Sequence, residues 1–241
     1  MFEFLKSIFS NNNDDEVNPA REMLKDATAL KKEKKYDEAC NKLKEAFLLE
    51  GSADLMVKEK MRLPMYLQLA NKNDEGWKIL NEINIQYVDV FSQAEIANQM
   101  RVFLQKEKKY TKAILFSVWN ICKEVERDRY NLQGIIDFAD QLVLNKDEFT
   151  PLKYEKTEKI YGKTPKGSPI TDSTYKMFSD RVDGNISESG VAKSILTLLK
   201  KSKKEGQVNI LSKSISGYLN SSKQYKLREV RDIINGVLLE K

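Results

Sequence analysis

Histidine is absent from the 241 residues, and glycine (10), proline (5) and cysteine (2) are scarce. Without an imidazole, Ser-His-Asp and Cys-His nucleophile pairs and zinc sites with His ligands are excluded. So few glycines and prolines leave little material for the frequent tight turns of an all-β protein. The abundant Lys, Glu, Leu and Ala favour helix instead. Cys40 and Cys122 lie far apart inside helical patterns, which suits small buried thiols rather than a disulfide framework. No apolar run approaches the ~20 residues that span a bilayer, and no signal-peptide layout is visible. The expected compartment is the cytoplasm. Lysine far outnumbers arginine and asparagine is frequent, as in AT-rich genomes, and a bacterial source is expected.

Apolar residues make up 41% of the chain and charged residues 32%, enough of each for a real core under a solvated surface. The amino terminus, MFEFLKSIFS, sets Phe2, Leu5 and Phe9 at helical spacing beside Phe4 and Ile8, and polar residues follow to position 17. A membrane-surface anchor at residues 1–10 is one reading. Its only basic residue, Lys6, gives little attraction to anionic lipid, so a terminal helix that is tucked onto the protein's own fold or simply frayed is preferred.

The sequence KKYDEA at 34–39 is echoed by NKNDEG at 71–76 and KKYTKA at 108–113, which sets Tyr36, Asn73 and Tyr110 at a constant step of 37 residues. Fixed self-similarity of this size marks an array of stacked helical hairpins. Met23, Ala27 and Leu30 form an apolar stripe before the first turn, and Ala39, Leu43, Ala46 and Phe47 another after it. Trp77, Leu80 and Ile83 are the corresponding material in the second unit, and Leu104, Ala113, Phe116 and Ile121 in the third. Ser92 with Glu95 has the spacing of a capping box opening the third unit.

These residues resemble the tetratricopeptide repeat family over about residues 18–125: Ala27 as the small residue of the first helix, Leu30, Tyr36 at the turn, then Ala39, Leu43 and Ala46. The second unit departs with Asn73, Gly76 and Pro64, and the third with Arg101 at the small-residue position. The resemblance implies an all-α fold, a solenoid of antiparallel hairpins whose first helices line a groove that holds a peptide or partner helix. Candidate groove residues are Arg21, Lys25, Thr28 and Lys32 from the first unit, Lys58 and Arg62 from the second, and Asn98, Gln99 and Gln105 from the third. Cations dominate the first two units, so an acidic protein segment is the expected ligand. Leu24 and Thr28 stand where family members that clamp a terminal carboxylate carry Lys and Asn.

Leu132, Ile135, Ile136, Phe138, Ala139 and Leu142 suggest a further helix capping the stack, which completes a repeat domain at 18–145. Residues 146–172 hold three prolines and no sustained periodicity, and read as a linker or long loop with a domain boundary. GKTPKGS at 162–168 lacks the order of a phosphate loop. Residues 173–241 read as a helical carboxyl-terminal domain, with Val191, Ile195, Leu198 and Leu199, then Val230, Ile233, Ile234 and Leu238, as apolar positions. More than the whole net charge of +5 resides from residue 151 onwards. Lys200, Lys201, Lys203 and Lys204 form a possible polyanion patch.

No carboxylate pair sits in an apolar context, so neither catalysis nor a metal or cofactor is expected. The preferred reading is a non-enzymatic adaptor or scaffold for protein partners, with its oligomeric state open. The alternative is a nucleic-acid-associated regulator using the basic carboxyl-terminal helices.

Overall fold

The computed structural model describes residues 18–144, 160–163, 169–222 and 224–239, with the side chains of 136–144, 160–163 and 169–173 outside the description. The apolar stretch at 1–10, most of the linker expected at 146–172, and the side chains of Ile136, Phe138, Ala139 and Leu142 therefore lie outside the described residues. The fold is all-α, apart from one short two-stranded ribbon. Among the described residues no helix is long and apolar enough to cross a membrane.

Helix α1 (Pro19–Lys32) starts where Asn18 caps it: the Asn18 side chain accepts from the Ala20 and Arg21 amides, and Pro19 fills the first position, where a missing N–H is harmless. Asn18 Nδ2 also donates to the Gly51 carbonyl at 3.1 Å, so one residue starts the helix and holds the far end of the hairpin. Helix α2 (Tyr36–Ala46) returns antiparallel. Ala20, Leu24, Ala27, Ala39, Cys40, Leu43 and Ala46 are buried between them and the next unit.

The second hairpin pairs α3 (Val57–Lys60) and α4 (Arg62–Leu69) with α5 (Asn73–Gln86). Its first helix is broken at Met61, three residues before Pro64, because a proline is tolerated only in the first turn of a helix. Gly76 replaces the alanine found at 39 and 113 for a steric reason. A Cβ there would lie 3.0 Å from the Phe103 ring and 3.2 Å from the Pro64 carbonyl.

The third hairpin pairs α6 (Val90–Lys106) with α7 (Tyr110–Leu144). The expected Ser92–Glu95 capping box does not open it. Asp89 is the cap, its carboxylate accepting from the Phe91 and Ser92 amides, so the helix begins two residues before Ser92. Nor is there a separate capping helix after the hairpin: α7 runs unbroken for 35 residues, with no proline in it and Gly134 tolerated in its interior.

The three turns are the same. Lys34, Asn71 and Lys108, 37 residues apart, take left-handed φ values of 63°, 61° and 60°. In each, the lysine that follows (Lys35, Lys72, Lys109) donates its amide to the carbonyl of a leucine five residues back (Leu30, Leu67, Leu104) at 2.8–3.0 Å. This is a Schellman closure of the first helix.

Part of the expected linker is structured. Strands β1 (Ile160–Lys163) and β2 (Pro169–Thr171) pair antiparallel, with β-branched Ile160, Ile170 and Thr171 and with Pro169 at a strand's first position, where it is tolerated. The ribbon leads into α8 (Asp172–Ile186), α9 (Glu188–Lys201), α10 (Val208–Ser221) and α11 (Leu227–Leu238).

These helices do not build a core apart from the repeats. Val191, Ile195, Leu199, Leu211, Ile215, Leu219, Val230 and Ile234 join Ile114, Val118, Ile121, Cys122 and Val125 of α7 in one buried cluster. Ser117 Oγ donates to the Ser194 carbonyl at 3.0 Å, and the Tyr225 amide to Glu126 at 3.2 Å. These contacts use the first half of α7, Ile114 to Glu126, and just beyond it Asp128 meets Arg181 of α8. The turn from α9 towards α10 also repeats the hairpin turn, with Lys203 at φ 58° and the Lys204 amide on the Leu199 carbonyl at 2.8 Å.

Left-handed φ strains a lysine by about 1 kcal/mol relative to glycine. Lys34→Gly, Lys108→Gly and Lys203→Gly are each expected to raise stability by up to about 1 kcal/mol in urea denaturation. Lys108→Val at the same position is expected to lower it.

Candidate functional site

Three first helices, α1, α4 and α6, carry the candidate face. Arg62 on α4 reaches across to α1, its Nη1 donating to the Leu24 carbonyl and to Thr28 Oγ1, both at 3.4 Å. Thr28 in turn donates to Leu24 at 2.8 Å, a local bond common for threonine in a helix. On α6, Arg101 donates through Nε and Nη2 to Asn98 Oδ1 at 3.1 and 2.7 Å, and through Nη1 to Gln105 Oε1 at 3.1 Å. Lys31 Nζ of α1 lies 6.0 Å from the centre of the Tyr66 ring of α4.

The electrostatics tie these helices together. Burial pushes the Arg101 guanidinium below its ordinary value. Lys106 is lowered first by burial and then by the positive charge of Lys31, so the carboxyl-terminal ends of α1 and α6 feel each other directly. No ion pair among the described residues gives Lys31, Arg62, Arg101 or Lys106 a carboxylate. Their bonds go to neutral oxygens and one ring. An arriving anion would offset the desolvation of these cations.

The structure thus brings Thr28 and Arg62 together, and Asn98 with Gln105 around Arg101. Other expected groove residues are placed differently. Gln99 is buried, 8% exposed, and so is not presented to a partner. Arg21 is engaged by the Asp54 carbonyl at 3.4 Å and Glu59 at 3.7 Å, and Lys25 by Glu22 at 2.6 Å on its own helix. Lys32 and Lys58 are exposed. Arg101, Lys31, Lys106 and Tyr66 were not among the expected residues. Arg101 is the large residue at a small-residue position, half-buried and held by Asn98 and Gln105 on its own helix.

The four lysines of the expected polyanion patch serve partly inside the molecule. The Lys204 ammonium caps α11 by donating to the Leu238 carbonyl, and Lys201 Nζ lies 5.8 Å from the Tyr110 ring. Lys203 is the left-handed turn residue, and Lys200 is exposed.

Buried titratable groups elsewhere are structural. Asp128 is fully buried between Arg127 Nε at 3.4 Å and Arg181 Nε at 3.2 Å. Burial raises its carboxyl, and the two guanidiniums oppose the rise, so the group ties α7 to α8. Among the described residues no group of three or more Cys, Asp or Glu converges as metal ligands. Burial pushes the Cys40 thiol up to about 11 and the Cys122 thiol up to about 12. Raised values keep both thiols protonated near neutrality, and the protonated form is a poor nucleophile. At pH 8 the folded protein is expected to resist a disulfide-exchange thiol reagent at both positions and to label at both once unfolded in urea. Rapid labelling of the folded chain would contradict this placement.

Compared with known protein families, with curated proteins and with solved structures, the chain matches none.

Proposed function

We propose that the protein is a non-enzymatic adaptor whose stacked hairpins, arranged as in tetratricopeptide repeats, hold an acidic segment of a protein partner on the face shared by α1, α4 and α6. One observation carries this reading: Lys31, Arg62 and Lys106, from three successive hairpins, are linked through α1, and neither they nor Arg101 on α6 are neutralised by a carboxylate among the described residues. Electrostatic matching of this kind steers encounter and selects partners by charge. The partly buried Met65 and Leu69 on α4 add apolar surface beside the charges. Two unpaired, buried thiols accord with the cytoplasm, where thiols stay reduced.

The polyanion alternative draws less support. Leu-Lys-Lys-Ser-Lys-Lys at 199–204 matches Leu-Lys-Lys-Glu-Lys-Lys at 30–35 and Leu-Gln-Lys-Glu-Lys-Lys at 104–109. All three close a helix with the same backbone bonds. The lysine cluster is therefore accounted for as turn chemistry.

The test is selection of a displayed random-peptide library on the immobilised full chain. Enriched peptides are expected to be rich in Asp and Glu. Lys31→Gln with Lys106→Gln, and separately Arg62→Ala with Arg101→Ala, are expected to weaken the selected peptides at least about tenfold, whereas Lys200→Gln with Lys203→Gln leaves them unchanged. Peptides without acidic bias, or binding indifferent to both face variants, would overturn the reading.

A further inference from the structure

A second candidate lies on other elements. Where α11 packs across the start of α7, a cleft of about 380 Å³ opens between α5, the end of α6, α7 and α11. Its size falls in the range of small-ligand sites. The walls are apolar: Trp77, Leu115 and Phe116 are half-buried and Ile234 is buried. At the rim stand the exposed cations Lys112 and Arg231, for which the described residues supply no ion pair.

The aromatic wall is fixed before any ligand arrives. Trp77 Nε1 donates to Glu107 Oε1 at 2.7 Å, and the indole meets the Phe103 ring edge-on with centroids 5.0 Å apart. The Glu107 carboxylate is held in turn by Lys109 at 2.7 Å. Its charge is thus neutralised beside the cleft, and no carboxylate lines the cleft itself. The indole N–H is already taken, so Trp77 offers the cleft only an apolar surface. A rigid, preformed wall lowers the ordering cost of binding.

The geometry points to a binding site for a small anionic amphiphile, an acyl or aryl carboxylate whose apolar end fills the cleft and whose head group meets Lys112 and Arg231. An uncharged apolar ligand would leave both cations unused. A zwitterion or cation would meet like charge at the rim.

Calorimetric titration of the full chain with octanoate, and in parallel with 1-octanol, tests this. Saturable octanoate binding at one site is expected, with 1-octanol weaker by about tenfold for want of the charged contacts. Lys112→Gln with Arg231→Gln is expected to bring octanoate to the level of 1-octanol. Leu115→Trp, which fills the cleft, is expected to abolish both. The rim residues are exposed, so the Gln variant decides even if Leu115→Trp does not fold. Absence of saturable octanoate binding below its micelle concentration overturns the proposal, as does equal affinity for the two probes with no response to the Gln variant.

Discussion

The rest of the structure depends on one backbone hydrogen bond made four times. A leucine carbonyl near the end of a helix accepts the amide of the lysine five residues on, across a residue held at positive φ. The bond closes the first helix without a glycine and turns the chain back, so the next helix starts within a few residues in a fixed register. Because neither helix of a hairpin buries its stripe alone, that register decides which apolar faces meet. In the first hairpin Ala27, Ala39 and Leu43 share one buried cluster, and Gly76 of the second lies close to Pro64 of its own hairpin and Phe103 of the next.

The stack ends differently from how it begins. Helices α9, α10 and α11 cover the first half of α7, Ile114 to Val125, and Arg181 of α8 reaches the buried Asp128 just beyond it. Helix α11 also walls the cleft beside Trp77. The face of α1, α4 and α6 lies on first helices and owes nothing to that covering. Its charge remains because the hairpins spend their exposed carboxylates elsewhere: Asp37 on Lys72, Glu75 on Lys44, Glu22 on Lys25.

Much of this is legible in the sequence because the turn is local. The step from Tyr36 to Asn73 to Tyr110 gives the hairpins, their number and their buried faces without reference to anything distant. The fourth turn escaped the same reading because 95 residues separate Leu199 from Leu104, and Glu205 stands where Tyr36 and Tyr110 stood. The cap at Asp89 was missed because Ser92 offered a better-known spacing, although either carboxylate or hydroxyl can serve. For the face, cations on first helices were visible. Which of them find partners depends on side chains 30 or more residues away, as with Arg21 and Glu59. Arg101 was read as a defect in a repeat, whereas its position beside Asn98 and Gln105 makes it part of the face. The sharing of one core by α7 and α9–α11 is a long-range matter that periodicity does not reach.

The repeated turn and the core on α7 make one body that carries the cations of α1, α4 and α6. Native-state hydrogen exchange across a series of low denaturant concentrations measures it directly. Amides of Val118 and Cys122 on α7 and of Ile195, Leu199 and Ile215 on α9 and α10 are expected to converge on a single opening free energy. The turn amides of Lys35, Lys72, Lys109 and Lys204 should be protected in the native protein. Opening of α9–α11 at a lower denaturant concentration, with α1–α7 still closed, would contradict it.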